Sequence, residues 1–505
     1  MKTIEEITAL RKEGRIDEAY GESRELLGAY PGDRDARVTA AQSAKPVMER
    51  AAKSGDLEVL ARTLEEYGAL RLEEIGENEM NNKAAWDIRR YLLDAKDNRT
   101  LTHAALDRLA EAAMTIDYRR PHRYYSVLLD AFVSCKDAGD ALWPGLLAFM
   151  DWWGLENLLP EDYQRVRLRN GVSMPSLAER AYSAYVKALL EEVTAGRCRE
   201  EAEAFVYELD LLVESHPEFQ YTLYHKTLLL KSLGKLVEAV TSAREFVKRK
   251  QNEFWSWSML GDIVDDDALQ LSCYCRALTC RAEAGYLFKV RQKAAALMEA
   301  SGDLANARRE YQDVIDLCQA KGWHMPADVA AASRRPWFAE TEPEPSNTRY
   351  YFSHLGESED FLLGDVDEVA ILISKFNPQK QTCSFITEDR RRGFFSTKKM
   401  HERFADNQIY RVRIAGEIDG KNATKLLSIK RVDDGAPYEG RLWRRITAEI
   451  NMRPGQTFTF VDDIYVDGSL LRTIPAGTRV LITAVLYFNI KRESWGWRAV
   501  RVQPV

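Results

Sequence analysis

TFTFVDDIYVDGSLL, residues 457–471, is the stretch on which the fold turns. Phe458 and Phe460 stand one residue apart, so in an extended chain their rings leave the same face. Asp462 and Asp463 follow as an acidic turn, and Tyr465 opens a second run. Facing outward, these rings offer stacking surface to bases; facing inward, they are core.

Around this stretch the chain reads as strand. VAILISKF (369–376), IYRVRI (409–414), KLLSIKRV (425–432), TRVLITAVLYF (478–488) and WRAVRV (497–502) alternate apolar and polar residues and are divided by Gly, Asn, Asp and Pro. That is the pattern of small β-barrels or sandwiches. Upstream the pattern changes. The EPEP run at 342–345 cannot continue a helix, because proline lacks the donor and clashes with the preceding turn. Residues 321–349 are therefore expected to be a Pro/Glu-rich linker.

Residues 1–320 read as amphipathic helix, as in LARTLEEYGALRLEEI (60–75) and SLAERAYSAYVKALLEEV (176–193). GKLVEAV at 234–240 recurs as GDLANAR at 302–308, and Gly234 and Gly302 lie 68 residues apart, twice 34. WSMLG at 257–261 falls in that register. A helix-turn-helix period of 34 is the tetratricopeptide signature, and this region resembles that family. The resemblance puts Gly234 and Gly302 in the turns between paired helices and Ala239 and Ala307 at the small-residue contacts. The middle unit is degenerate, with Ala268, Cys273 and Cys280 at those positions. GRIDEA (14–19), Leu26, Leu27, Tyr30 and Pro31 match part of one more unit. Residues 60–230 are helical but off register, YLLDA (91–95) and VLLDA (127–131) hinting at a unit of 36.

A solenoid of this kind presents a groove to an extended protein segment. Two basic-aromatic stretches, WDIRRY (86–91) and DYRRPHRYY (117–125), supply candidate partner-binding residues: Arg89, Arg90, Arg119, Arg120 and Tyr124. Alternatively the aromatics pack between helices and the arginines face solvent.

The opening stretch resembles the paired nucleic-acid-binding strands of the cold-shock domain, an OB-type barrel. Phe458 and Phe460 match the two phenylalanines of its first motif and residues 463–466 the start of its second; the resemblance covers 436–505. A second, earlier copy at 365–432 matches at Phe376, Asn377, Lys380, Phe385 and Ile386, with one residue inserted between Lys380 and Phe385. Lys375 stands where the family has Trp and Cys383 where it has a stacking Phe. Ser396 and Thr397, and in the later copy Asp467 and Gly468, replace a His and a Phe.

Single strands are held by base stacking, about 1–3 kcal/mol per base, beside a cationic track. The candidates in the later copy are Phe458, Phe460, Tyr465, Arg453, Lys491, Arg492 and Trp495, with Arg444 and Arg445 nearby. In the earlier copy they are Phe376, Phe385, Phe394, Arg390, Arg391, Arg392, Lys398 and Lys399. The bland reading of every aromatic is packing. Charge leans the same way as the resemblance: residues 349–505 carry 25 Lys+Arg against 20 Asp+Glu, leaving 46 against 58 before them.

No G-x-x-x-x-G-K-[ST], H-E-x-x-H or G-x-S-x-G occurs. Cys273, Cys275 and Cys280 lack convergent partners for a structural zinc, so neither metal nor cofactor is expected. Seven cysteines, a charged N-terminus and no apolar run of membrane-spanning length suggest a reducing, cytoplasmic setting away from membranes. The expected architecture is a multidomain α-then-β chain: a tetratricopeptide-like α-solenoid (1–320), the linker, and two small OB/cold-shock-like β-barrels (350–434 and 435–505). The expected function is a non-enzymatic adaptor, joining a protein partner to single-stranded RNA or DNA, in a stress or phage-defence system. The rival is a protein-interaction scaffold whose barrels dock or oligomerise. An enzyme with a dispersed site is a third possibility.

Overall fold

Helical periodicity gives way to strand alternation near residue 364 in the computed structural model, which describes residues 2–167, 171, 173–398, 400, 403–451 and 456–505. The chain divides into two compact units, Met1–Phe246 and Val247–Val505.

In the first unit the helices Ile4–Lys12, Arg34–Ser54, Ala84–Asp97, Arg123–Cys135, Leu177–Thr194 and Thr222–Ser232 form a row in which each packs on the next. Their starts are written locally. Thr3 with Glu6 and Ser176 with Glu179 form reciprocal capping boxes, and the Asp33, Asp56 and Thr102 side chains accept from orphan amides. Aromatics fix the middle of the unit. Tyr125 and Trp153 stack at 4.7 Å, and each donates to the other's backbone carbonyl at 3.0 Å. Phe132 packs on Phe149 at 4.2 Å, and Trp143 donates to Asp107 at 2.6 Å. These rings pack among many fully buried alanines, such as Ala61, Ala85, Ala113 and Ala181. A two-stranded hairpin, β1 (Val166–Arg167) with β2 (Ser173–Met174), lies exposed beside it.

Gly234 and Gly302 end helices in the left-handed region, at φ +75° and +87°. In both turns the next amide reaches back five residues, Lys235 to the Leu230 carbonyl at 2.9 Å and Asp303 to that of Met298 at 2.8 Å. Ala239 and Ala307 are fully buried.

In the second unit the helices Phe254–Gly261, Asp267–Thr279, Ala284–Ala300 and Leu304–Lys321 pack in sequence. The Pro/Glu-rich stretch at 321–349 contains the short helices Ala327–Ala332 and Pro336–Glu340 and is tied down by polar side chains. Glu310, fully buried, accepts from Arg291 at 2.6 Å, from Asn347 at 2.7 Å and from Tyr351. A buried carboxylate is tolerable only when so supplied with donors. Among the described residues no helix is long and apolar enough to cross a membrane.

Two five-stranded sheets follow. The first contains β3 (Glu368–Asn377), β4 (Thr382–Thr387), β5 (Arg392–Ser396), β6 (Ile409–Ala415) and β7 (Lys425–Arg431), in the order β5-β4-β3-β6-β7. The second contains β8 (Trp443–Glu449), β9 (Phe458–Val461), β10 (Ile464–Asp467), β11 (Arg479–Asn489) and β12 (Ser494–Pro504), in the order β8-β11-β12-β10-β9. Neither is the closed barrel expected from the sequence: each hydrogen-bonded sheet is open between its terminal strands. Counting strands within each sheet, both orders are cuts of one ring, 1-4-5-3-2. The first is cut between its third and fifth strands, where one bond, Thr424 amide to Phe394 carbonyl at 2.7 Å, still crosses. The second is cut between its first and second strands.

Strand β3 shows how the two sheets join. Ile371 and Ile373 point into the first sheet's core with Phe385, Phe395 and Tyr410, while Ala370 and Leu372 leave the other face. There they meet Leu442, Val485 and Leu486 of the second sheet in a separate apolar cluster. Arg392 seals it, its guanidinium carbon 3.7 Å from the Phe488 ring centre, and Arg441 pairs with Glu388 at 2.5 Å.

Replacing Gly302 with Ala tests the helix-ending turn. No atom lies within 4 Å of the added carbon, so the cost is conformational alone. A loss of about 1–2 kcal/mol is expected in chemical denaturation, the left-handed penalty of an L residue; no loss would show that the turn does not require this conformation.

Candidate nucleic-acid interface

Alternation in the second sheet decides which aromatics are reachable. On β9, Val461 is buried while Phe458 and Phe460 are 45% and 51% exposed. On β10, Ile464 and Val466 are buried, and Tyr465 and Asp467 turn outward. Pairing sets Tyr465 beside Phe460 and Asp467 beside Phe458. The three rings form one cluster: Phe458 lies 5.9 Å from Phe460 and 5.5 Å from Tyr465, and Phe460 lies 5.8 Å from Tyr465. The Asp462–Asp463 turn makes the hairpin tight, with Asp462 at φ +52°.

The face continues across the sheet. Tyr465 is opposite Arg498 on β12, whose guanidinium carbon is 5.9 Å from the Tyr487 ring centre. Thr483 of β11 has Arg501 on one side and Arg445 on the other, both exposed. Arg445 lies over Trp443 at 4.8 Å. An aromatic cluster thus borders a row of arginines. Arg444 is engaged elsewhere, bonding Asp463 and covering Trp497 at 4.6 Å. Two ionisable groups sit at the cluster. Burial and the neighbouring Asp467 push the Tyr465 phenol upward, keeping it a donor, while the Ser469 hydroxyl and amide hold Asp467 below its ordinary range.

Sequence reasoning missed Tyr487, Arg498 and Arg501. Strict alternation places Arg498 and Arg501 on opposite faces. The register shift opposite Thr483 and Ala484 inserts Val500 as an extra residue and brings both arginines to one face.

The other expected residues are scattered. Lys491 and Arg492 are exposed at the β11–β12 turn, where their amides bond Asn489. Trp495 packs edge-on to Phe488 at 5.2 Å and lies against the joint between the sheets, not beside the aromatic trio. Arg453 and Lys399 fall outside the described residues. In the first sheet Phe385 is 1% exposed and faces inward with Cys383; it cannot stack on a base without opening the core. Phe376 is half-buried, 6.2 Å from Phe404. Phe394 alone of that set stands on the outer face, opposite Ser384, which pairs in turn with Lys375. Arg390 sits in the hairpin turn at φ +62°, Arg391 pairs with Asp389 at 2.7 Å, and Arg392 belongs to the joint. Lys398 is exposed.

On the helical body each candidate arginine has a carboxylate within reach. Arg89 lies 3.5 Å from Asp130, Arg90 3.7 Å from Glu49, Arg119 2.5 Å from Glu79 and Arg120 3.7 Å from Asp117. Arg120 also covers Tyr125 and Trp152. Tyr124 gathers Trp86 at 6.4 Å and His122 at 5.0 Å, with Arg89 over Trp86 and Arg123 over Tyr124. Among the described residues no group of three or more His, Cys, Asp or Glu is placed to hold a metal ion. Burial pushes the Cys273 thiol up to about 12, far from a reactive thiolate.

Comparison with known families gives two partial matches. Residues 444–502 match the model described as S1/CSD-like domain 2 of the TOTE conflict systems, a span from the second residue of β8 into β12 that includes the aromatic trio. Residues 220–357 match the model described as Domain of unknown function (DUF7017). No curated protein matches the chain. The chain thus has a helical N-terminal region and a C-terminal S1/CSD-like domain.

Face assignment predicts opposite stability responses. Phe385→Ala should cost about 3–5 kcal/mol as a core truncation, and Phe460→Ala less than about 0.5 kcal/mol as a surface change. Denaturant unfolding of both variants checks this, and the reverse order would mean that the faces are exchanged.

Proposed function

We propose that this protein is a non-enzymatic adaptor that holds single-stranded RNA or DNA on the outer face of its C-terminal sheet and a protein partner on its helical body. One observation carries the reading: three aromatic rings, two of them about half exposed, cluster with Arg498 opposite Tyr465, and the same face carries Arg501 and Arg445 farther across the sheet. Bases stack on such rings while arginines follow the phosphates. The shared ring order of the two sheets supports an OB-like ancestry for both, since the OB-fold is a partly open five-stranded barrel. Matching a domain of conflict systems supports a role in defence.

For the helical body, the row of mutually packed helices, the left-handed turns at Gly234 and Gly302 and the buried Ala239 and Ala307 support a tetratricopeptide-like solenoid. Its partner surface is best sought around Trp86, Arg89 and Tyr124, where aromatic and cationic groups meet. The earlier sheet serves chiefly as a support, because Ala370, Leu372, Ile386 and Ile409 of its outer face are used in the joint. Tethering gives the function: two weak contacts on one chain each raise the effective concentration for the other.

Fluorescence anisotropy of short single-stranded RNA and DNA with the full chain tests this. Alanine at Phe458, Phe460 or Tyr465 should weaken binding by about 1–3 kcal/mol each, and Arg498→Ala should flatten the salt dependence. Phe394→Ala should change little. A folded protein that binds neither nucleic acid at low salt rules the reading out and favours the scaffold.

A further inference from the structure

A cavity of about 530 Å³ opens in the first unit among the helices Ala84–Asp97, Arg123–Cys135, Leu177–Thr194, Arg199–Ser215 and Thr222–Ser232. Small-ligand sites span roughly 300–1,000 Å³. Lys96, Lys136, Arg180 and Lys187 line it, against the carboxylates of Asp137 and Glu179. Both acids are already engaged: Asp137 accepts from Lys136 at 2.6 Å, and Glu179 accepts from Arg165 at 2.8 Å. Lys96 gives one proton to the Ser134 carbonyl at 2.6 Å, leaving two. Arg180 donates to Asp130 at 2.7 Å through one terminal nitrogen and to the Ser134 hydroxyl at 3.2 Å through the other. Lys187 makes no ion pair among the described residues and is exposed at the rim.

The rest of the lining mixes aliphatic and small polar residues with aromatic ones. Tyr182, Phe219 and Tyr224 border the cavity, Phe219 held by stacking on His216 at 4.9 Å. His225 borders it too. That side chain is buried, and its Nδ1 is sealed from solvent without a hydrogen-bond partner. Burial, with the charge of Lys187, lowers its pKa to about 4, so the ring is neutral near pH 7 and keeps one N–H to donate. A buried polar atom left without a partner calls for an explanation, and here it sits in a ring that borders a cavity with surplus positive charge.

We propose that this cavity binds a small phosphate-bearing molecule with a flat ring, the phosphate held by Lys96, Arg180 and Lys187 and the ring against Tyr182 and Tyr224. Phosphate is favoured because three cationic side chains, Lys96 from one helix and Arg180 and Lys187 from another, line one cavity, and an anion with several oxygens can accept from each. A flat ring is favoured because aromatic walls accept stacking that an aliphatic body does not return.

The test is calorimetric titration of the full chain at low salt with adenosine 5′-monophosphate, uridine 5′-monophosphate and 4-nitrophenyl phosphate, with adenosine and inorganic phosphate as half-ligands. At least one ring phosphate should bind tenfold or more tightly than either half-ligand. Lys187→Glu and Lys96→Glu, both at exposed positions, should each weaken it at least tenfold, and Phe460→Ala should leave it unchanged. Circular dichroism verifies the fold of each variant. The proposal falls if none of the three binds at millimolar concentration, or if inorganic phosphate binds as tightly as they do. It falls equally if Phe460→Ala abolishes binding that Lys187→Glu spares, which would assign the mononucleotide to the C-terminal sheet.

Discussion

Successive side chains of an extended chain leave on opposite sides, and everything the C-terminal half can do depends on that period of two. In β9 it puts Phe458 and Phe460 outside and Val461 inside. In β4 the same rule, displaced by one residue, puts Cys383 and Phe385 inside and turns Ile386 toward the neighbouring sheet. Two strands with the like-patterned sequences TCSFI and TFTFV thus present aromatics inward in one sheet and outward in the other. A slip of one position is sufficient, because it exchanges every face at once.

The helical half is governed by different forces. Its ends are fixed by local chemistry: capping boxes at Thr3 and Ser176, left-handed glycines at 234 and 302. Its middle is held by rings that satisfy their own polar atoms, as the reciprocal Tyr125 and Trp153 bonds do. Such a core is hydrophobic in bulk and specific in orientation.

These differences explain what was legible in the amino-acid order. Helix against strand and the turn glycines follow from local pattern; that Phe458, Phe460 and Tyr465 share a face does too, but which way that face points is settled only by what the other face packs against. The burial of Phe385 was not legible, because the face of β4 that turns inward is fixed only by its pairing with β3, where the register shifts between Ile373 and Lys375. Neither was the partnership of Arg498 with Arg501, since the extra residue at Val500 is visible only once β12 has found β11. Trp495 and Arg392 were misjudged for a related reason: the joint that claims them forms between segments a hundred residues apart. Barrel closure likewise depends on strand ends meeting in space, which alternation does not encode.

Strand β3 belongs to two cores. Ile371 helps fill one and Leu372, its neighbour, the other, so neither sheet can lose its structure without stripping a wall from a shared dry contact. By strand pairing the two sheets are separate, since no described strand of one is hydrogen-bonded to a strand of the other. They nevertheless share a dry contact: melting the first would expose Leu442, Val485 and Leu486 of the second, which favours one cooperative foldon. The earlier sheet therefore contributes rigidity to a surface that it does not itself form.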